Sequence, residues 1–172
     1  MEELPPLHTA AKVDDVVTIR RLAAEGADVN EQGARGTRPL HVAAVSGHVD
    51  AARVLVEVGA ELEASDDDGS KPLHVAACVG HVAVVKALVE MGADVEASTA
   101  GGWTALHVAA HQGHVEVATA LLELGADIGA LTDDGETPLQ VSIRKGHHHV
   151  ARVLRGAQAL QRSARKKEAA AK

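Results

Sequence analysis

The amino-acid sequence predicts an all-α protein built from repeated pairs of short helices. Along the 172 residues, a regular spacing of 33 positions relates the leucines Leu7, Leu40, Leu73, Leu106 and Leu139. A period of roughly 20–50 residues is the mark of a repeat architecture. Aromatic residues make up only 1% of the chain and hydrophobic residues 46%. The core must therefore consist of alanine, valine, leucine and isoleucine, which suit closely packed helices better than a sheet sandwich.

Each repeat is predicted to begin with a short first helix. Its sequence is Leu-His-Val-Ala-Ala in the best-preserved units, where the alanines let neighbouring units approach closely. Proline stands where this helix starts, a position at which the missing backbone N–H costs nothing: Pro39, Pro72 and Pro138. Glycine then ends the helix and turns the chain back at Gly47, Gly80 and Gly113.

A second helix and a turn complete each unit. In the third repeat, the apolar residues of this helix follow helical periodicity at Val82, Val85, Leu88 and Val89. A glycine with left-handed backbone is expected to end the helix in each unit, at Gly26, Gly59, Gly92 and Gly125. The stretch before the next unit is rich in turn residues and carries the glycines Gly36, Gly69, Gly102 and Gly135.

These motifs resemble the ankyrin repeat. Its T-P-L-H-x-A-A motif appears as RPLHVAA, KPLHVAA and TALHVAA, a G-H pair follows, and EGAD, MGAD and LGAD close the units. The resemblance covers about residues 4–157. It implies an all-α ankyrin-repeat solenoid of stacked antiparallel helix pairs, with β-hairpin or turn fingers and a C-terminal helical tail.

The resemblance also implies how the chain is divided. An ankyrin repeat domain is expected over 1–157 and a basic helical tail or linker over 158–172. The repeats span about 4–32, 33–65, 66–98, 99–131 and 132–157, and the first and last act as caps because the ends of a stack must be solubilised. From His149 to Lys172 the sequence predicts one helix. Its first half covers the stack with an apolar stripe of Val150, Val153, Leu154, Ala157, Leu160 and Ala164.

Some framework positions depart from the family pattern. Arg38 and Lys71 replace the threonine that precedes the proline in the second and third units. In the family this threonine helps to hold the following histidine by hydrogen bonding, so the two turns are expected to be looser. Gln140 replaces that histidine in the fifth unit, which is the least regular.

In function, the resemblance implies a protein-interaction module, a scaffold or adaptor that is not an enzyme. Partners of this family contact the fingertips and the exposed end of the first helix. Carried over to this chain, the partner-binding positions are Arg35, Thr37, Val45, Ser46, Asp67, Asp68, Ser70, Cys78, Val79, Trp103, His111, Gln112, Asp133, Asp134, Glu136, Arg144 and Lys145. An engineered or selected ankyrin binder is an alternative, although the framework differences between units argue against a consensus design.

Trp103 is the strongest single candidate among these residues. Tryptophan is enriched at interface hot spots, and the equivalent positions Thr37, Ser70 and Glu136 show that folding does not demand an aromatic residue there. Alternatively, the indole packs across the base of the finger. Acidic residues on the neighbouring fingers favour a protein partner whose surface is basic and partly apolar.

Charge and composition narrow the function classes. Seven basic residues and one acid give the segment from Arg152 onward a charge of +6, so the total of −7 leaves −13 on the preceding residues. An acidic body would repel phosphates, which argues against nucleic-acid binding by the main domain. No stretch reaches the roughly 18 consecutive apolar residues of a membrane span. The single cysteine, Cys78, favours a reducing, intracellular location in the cytoplasm or nucleus. We expect a monomer.

Eleven histidines raise the distant alternative of a metal-binding or enzymatic protein. His107, His111 and His114 have helix-like spacing, but Gly113 separates two predicted helices, so the three do not share one face. Consecutive histidines at 147–149 point about 100° apart on a helix and cannot converge on one ion. Eight of the eleven recur with the repeat and are expected to tie turns together: His8, His41, His74, His107, His48, His81, His114 and His147. We therefore expect no metal and no cofactor.

Overall fold

The computed structural model describes residues 4–170, and within these residues ten α-helices form five pairs. The first helices of the pairs pack against one another in chain order, and so do the second helices. The pairs are α1 (Pro6–Lys12) with α2 (Val16–Ala24), α3 (Pro39–Ser46) with α4 (Val49–Glu57), α5 (Pro72–Val79) with α6 (Val82–Glu90), α7 (Ala105–Gln112) with α8 (Val115–Glu123), and α9 (Pro138–Arg144) with α10 (His148–Ala170). This architecture is the all-α repeat solenoid that the sequence predicts.

The predicted start and stop residues lie at the ends of the helices. Pro39, Pro72 and Pro138 are the first residues of α3, α5 and α9. The glycines after the first helices adopt left-handed backbone, with φ of +78° at Gly47 and +83° at Gly113. Residues with a Cβ avoid this region, so the glycine is what lets the chain turn back within two residues.

The core runs as a strip of small side chains between the two layers of helices. The repeated leucine is at most 2% exposed and the alanine pairs behind it at most 4% exposed in the first four units. Alanine contributes little volume, so adjacent first helices approach closely enough to exclude water. In the fifth unit Leu139 is only half-buried, because no further repeat covers it.

The fingers between the pairs are stacked turns with little β-structure. In the described part of the chain one isolated bridge is found, between Ser98 and Thr104. Neighbouring fingers are instead joined tip to tip: the amide of Asp67 donates to the Arg35 carbonyl at 3.1 Å, and that of Asp133 to the Gly101 carbonyl at 3.1 Å. The fingertips therefore hold a defined position relative to one another.

The turns at Arg38 and Lys71 are as closed as the turn at Thr104, contrary to the expectation that they are looser. The amide of Arg38 donates to Nδ1 of His41 at 3.2 Å, the same distance as between Thr104 and His107. In addition, the Arg38 guanidinium donates to the Ser65 carbonyl at 2.7 Å. The Lys71 ammonium donates in the same way to the Ser98 carbonyl at 2.8 Å. The long cations replace the threonine by binding the next finger.

The last helix, α10, is 23 residues long, whereas the other second helices have nine. Val150 and Leu154 are fully buried against the stack, but Leu160 is 74% exposed. The first half of the helix covers the stack, as the sequence predicts, and Gln158, Gln161, Arg162 and Arg165 of the second half border residues 127–129. The division at 157/158 falls inside this continuous helix and stays a prediction. Among the residues described, no helix has the length and apolar character needed to cross a membrane.

Candidate partner-binding surface

The structure leaves all of the predicted contact residues exposed or half-exposed. They lie along one side of the stack, on the fingers and at the C-terminal ends of the first helices. Seven of them meet in one groove between the second, third and fourth repeats: Val45, Ser70, Cys78, Val79, Trp103, His111 and Gln112. The other predicted residues lie on the fingers around this groove or at the end of the stack.

This concave groove has a volume of about 450 Å³. Sequence reasoning missed four of the residues that line it: Asp66, His74, Val75 and Val108. Both valines occupy the position after the repeated histidine and were counted as framework. They lie one helical turn before the exposed end of the first helix, a spacing that places them on the same face as Val79 and Gln112. Helical periodicity was thus the signal that could have identified them.

Trp103 is half-buried and forms one wall of the groove. Its ring lies edge-on to the imidazole of His111, with 5.4 Å between the ring centroids, and 6.1 Å from that of His107. Such tilted arrangements are the favoured geometry for aromatic pairs. The two interpretations of this residue are compatible, because the indole packs on two histidines and also contributes surface to the groove.

His111 and Gln112 give the groove its polar groups. Desolvation, with the nearby cations Lys145 and Arg144, lowers the pKa of His111, so its imidazole is neutral at physiological pH. A neutral imidazole offers one donor and one acceptor to a ligand. The amide of Gln112 donates to Sγ of Cys78 at 3.3 Å across the groove floor. The groove can therefore take an apolar side chain and hydrogen-bond its backbone.

The charges on the fingers are distributed unevenly. Asp67 and Asp68 are exposed, and Asp68 has only a long ion pair of 3.8 Å with Arg35. Glu136, by contrast, receives two hydrogen bonds from the Arg144 guanidinium, at 2.9 and 2.7 Å, which lower the pKa of its carboxyl group. Glu136 therefore adds little net charge, and the exposed acidic residues that remain on the fingers are Asp67 and Asp68 on the third and Asp133 and Asp134 on the fifth.

The histidines of the first helices are structural, as the sequence predicts. Nδ1 of His41 and of His107 accepts the backbone N–H three residues earlier, and Nε2 donates to a finger carbonyl at 3.0 Å. His74 follows the same pattern, with Nε2 donating to the Ala97 carbonyl at 2.9 Å. A ring between a backbone donor and a backbone acceptor must be the neutral Nε2–H tautomer. Both ring nitrogens of His41, His74 and His107 are thus hydrogen-bonded to the backbone.

The histidines that follow the turn glycines join adjacent repeats. Nε2 of His48, His81, His114 and His147 donates to a carbonyl of the preceding first helix, at 2.8–3.1 Å. His107 and His114 therefore form different hydrogen bonds, His107 to the Glu136 carbonyl and His114 to the Cys78 carbonyl. Within residues 4–170, no three histidine, cysteine, aspartate or glutamate side chains lie where they could share a metal ion.

His8 is the exception to this pattern, because its buried Nδ1 has no hydrogen-bond partner in the described part of the chain. The residue three positions earlier is Pro5, which has no backbone N–H to donate. An unsatisfied buried acceptor costs about 1–3 kcal/mol.

Replacing Pro5→Thr is expected to raise the free energy of unfolding by about 1 kcal/mol, measured by chemical denaturation. The new N–H satisfies Nδ1, and the gain exceeds the roughly 0.4–1 kcal/mol lost with the proline's rigidity. Pro5→Ala supplies the N–H without the hydroxyl and should give most of the gain. A Pro5→Thr protein no more stable than its parent would contradict this account.

Comparison with protein-family models places this arrangement among known repeats. The model described as ankyrin repeats (3 copies) matches residues 7–99, 58–132 and 96–163. The overlapping matches extend from the first leucine of the repeat into α10. No curated protein matches the chain.

Proposed function

Because the chain belongs to the ankyrin repeat family, whose members are in general protein–protein interaction modules, we propose that it acts as a scaffold or adaptor that binds a protein partner in its concave groove. The family is typically non-catalytic, and the proposal assigns no reaction to this chain. The observation that carries the proposal is the groove itself. The only tryptophan of a chain without tyrosine or phenylalanine lines it.

The proposed partner presents an apolar side chain next to a cationic one. Val45, Val79 and Trp103 supply apolar walls for the first. Asp66 on the rim and Asp67 and Asp68 on the same finger supply the charge for the second. Complementary charge across an interface speeds association and selects among partners. Both features support the partner with a basic and partly apolar surface that the acidic residues of the fingers predict.

Peptides selected from a random display library on the immobilised protein are expected to carry an apolar residue beside lysine or arginine. Trp103→Ala is expected to weaken their binding about 30-fold, which corresponds to about 2 kcal/mol for a hot-spot tryptophan. Titration calorimetry measures this change. Because Trp103 is the only tryptophan, its fluorescence also reports directly whether the peptide enters the groove.

Two further variants separate binding from folding. Val79→Lys puts a charge into the groove at a residue that is 43% exposed, so it should block binding without unfolding the protein. Val17→Ala, on the second helix of the first repeat, is the control and should change neither the affinity for the peptides nor the stability of the protein. Peptides that bind the parent, Trp103→Ala and Val79→Lys proteins equally well would refute the proposed site.

An intracellular location and a monomeric state belong to the same proposal. Cys78 is exposed and is the only cysteine of the chain. An exposed thiol without an internal partner suits a reducing compartment such as the cytoplasm or nucleus. The positions outside the groove, from Arg35 and Thr37 to Lys145, are proposed to make peripheral contacts.

A further inference from the structure

A ladder of ion pairs closes the outer surface between successive second helices. Arg20 on α2 contacts Glu57 on α4 at 2.6 Å, and Arg53 on α4 contacts Glu90 on α6 at 2.9 Å. The third rung joins Lys86 on α6 to Glu123 on α8 at 3.9 Å. Each rung links residues 37 positions apart. The cation and the anion thus occupy fixed columns of the repeat.

The fourth rung is missing. The same columns place Thr119 on α8 and Gly156 on α10, and neither side chain is charged. Apart from the adjacent residues and the nearby backbone of α10, no atom of the described residues lies within 4 Å of the position that a Cβ on Gly156 would take. In place of the ion pair there is an outer groove of about 570 Å³, lined by Thr119, Leu122, Val153, Gly156, Ala157 and Leu160. This site lies between second helices, on a different part of the stack from the concave groove.

The apolar strip of the outer groove continues along α10 and has a cation at each end. Leu160, which lines the groove together with Leu122 of α8, is exposed, and so is Ala164 one turn further along. Arg152 forms one rim of the groove, and it has no carboxylate within 4.0 Å among the described residues. Lys167 lies seven residues after Leu160, so it shares the same helical face, and it is exposed. At 1.5 Å per residue, the two cations are about 22 Å apart along the helix.

The one acid on the rim does not cancel these charges. Glu123 lines the groove, but it already pairs with Lys86 on the preceding helix. The other exposed cations of α10, Arg155, Arg162, Arg165 and Lys166, lie on other faces of the helix. A ligand of this groove therefore meets apolar surface in the centre and a cation at each end.

We propose that the outer groove binds an amphipathic helix of another protein, about four turns long, with an apolar stripe and acidic residues at its edges. A helix fits because the groove runs parallel to two helices and has room where the other interfaces carry an ion pair. A lipid surface fits less well, since the body before Arg152 has a charge of −13, which anionic headgroups repel. The proposal is independent of the concave groove.

The test uses two fluorescein-labelled peptides of about 18 residues and two variants of the full chain. One peptide has leucine at the spacing of a single helical face and glutamate elsewhere; the other has lysine in place of every glutamate. The variant Thr119→Arg with Gly156→Glu restores the missing rung as the Arg–Glu pair of the first two interfaces, and so fills the groove. Arg152→Glu with Lys167→Glu reverses the end charges without filling it.

Fluorescence anisotropy is expected to show binding of the acidic peptide to the parent protein and none of the basic peptide. Affinity should fall at least tenfold in either double variant, while the melting temperature of the rung-restoring variant stays equal or rises. Trp103→Ala should leave this binding unchanged.

Several results would overturn the proposal: equal affinity of the parent and rung-restoring proteins, equal binding of both peptides, or no binding of the acidic peptide. Loss, in the rung-restoring variant, of sedimentation with anionic vesicles would assign the groove to a membrane instead. Loss of concentration-dependent dimerisation in the same variant would assign it to a second copy of the chain.

Discussion

The free energy of unfolding is expected to fall by about 2 kcal/mol through His74 alone when the pH is lowered from about 7 to about 5. Burial lowers the pKa of His74 to about 4, against 6.5 for an exposed imidazole. The hydrogen bonding of His74 also disfavours the protonated imidazole. Nδ1 of His74 accepts the Lys71 N–H at 3.1 Å, and a proton on that nitrogen would face a donor.

The sign follows from proton counts. Between about pH 6.5 and pH 4 the unfolded chain binds a proton at His74 that the folded chain does not bind. Acid therefore favours the unfolded state across this window, and the loss levels off below the folded pKa. Burial also lowers the pKa of His41 and of His107, so their contributions have the same direction. Denaturant titrations at several pH values down to about 5 measure the slope before the carboxylates begin to protonate.

His74→Gln is the matched control for this prediction. The fifth repeat shows that the exchange preserves the turn, because Oε1 of Gln140 accepts the Thr137 N–H at 2.8 Å. The variant loses the bond from Nε2 to the Ala97 carbonyl, so it should be less stable at neutral pH. It should also lose about 2 kcal/mol of the pH-dependent change. An unaltered slope in His74→Gln would show that other groups set the acid sensitivity.

Gly102→Ala is expected to destabilise the protein by about 3 kcal/mol, whereas Gly135→Ala should cost about 1 kcal/mol. Both glycines have a φ of +74°, so the cost of left-handed backbone is common to the two variants. They differ in what surrounds them. A Cβ on Gly102 would lie 2.8 Å from the amide nitrogen of Asp133 in the next finger, but a Cβ on Gly135 meets nothing within 4 Å.

The difference between these two variants measures how strongly the fingers are stacked. The clash at Gly102 would push Asp133 away from the Gly101 carbonyl and break the bond between the fingertips. Urea denaturation of both variants measures the two losses in the free energy of unfolding. Losses of equal size would mean that the fingers are only loosely coupled. The geometry predicts a cooperative array, in which a change at one fingertip moves its neighbour.

Much of the fold could be predicted from the sequence, because each repeat is built from local signals. Within one unit, a proline starts the first helix and a glycine with left-handed backbone ends it. The same leucine then recurs in each unit, 33 residues apart. The roles of eight histidines could also be assigned, since their recurrence marked them as framework. The first half of α10 was predictable from its apolar stripe.

The candidate site could be predicted only in part. Periodic columns identified which positions vary, and the structure brings seven of them into one groove. They did not show that Val75 and Val108 share it, because a column that repeats without change resembles pure framework. Nor did they show that Arg144 neutralises Glu136, since both were counted as separate contact residues.

The sequence by itself determined the repeat, the helix boundaries and the roles of most histidines. These depend on residues within one unit or on residues that recur at equivalent positions of successive units. The tertiary structure alone decided which side chains from different columns meet. The contacts join residues 29, 36 or 37 positions apart, and these distances come from how neighbouring units stack. The missing rung at Thr119 and Gly156 appears only once that stacking is known, because it is a contact that the other repeats make and these residues cannot.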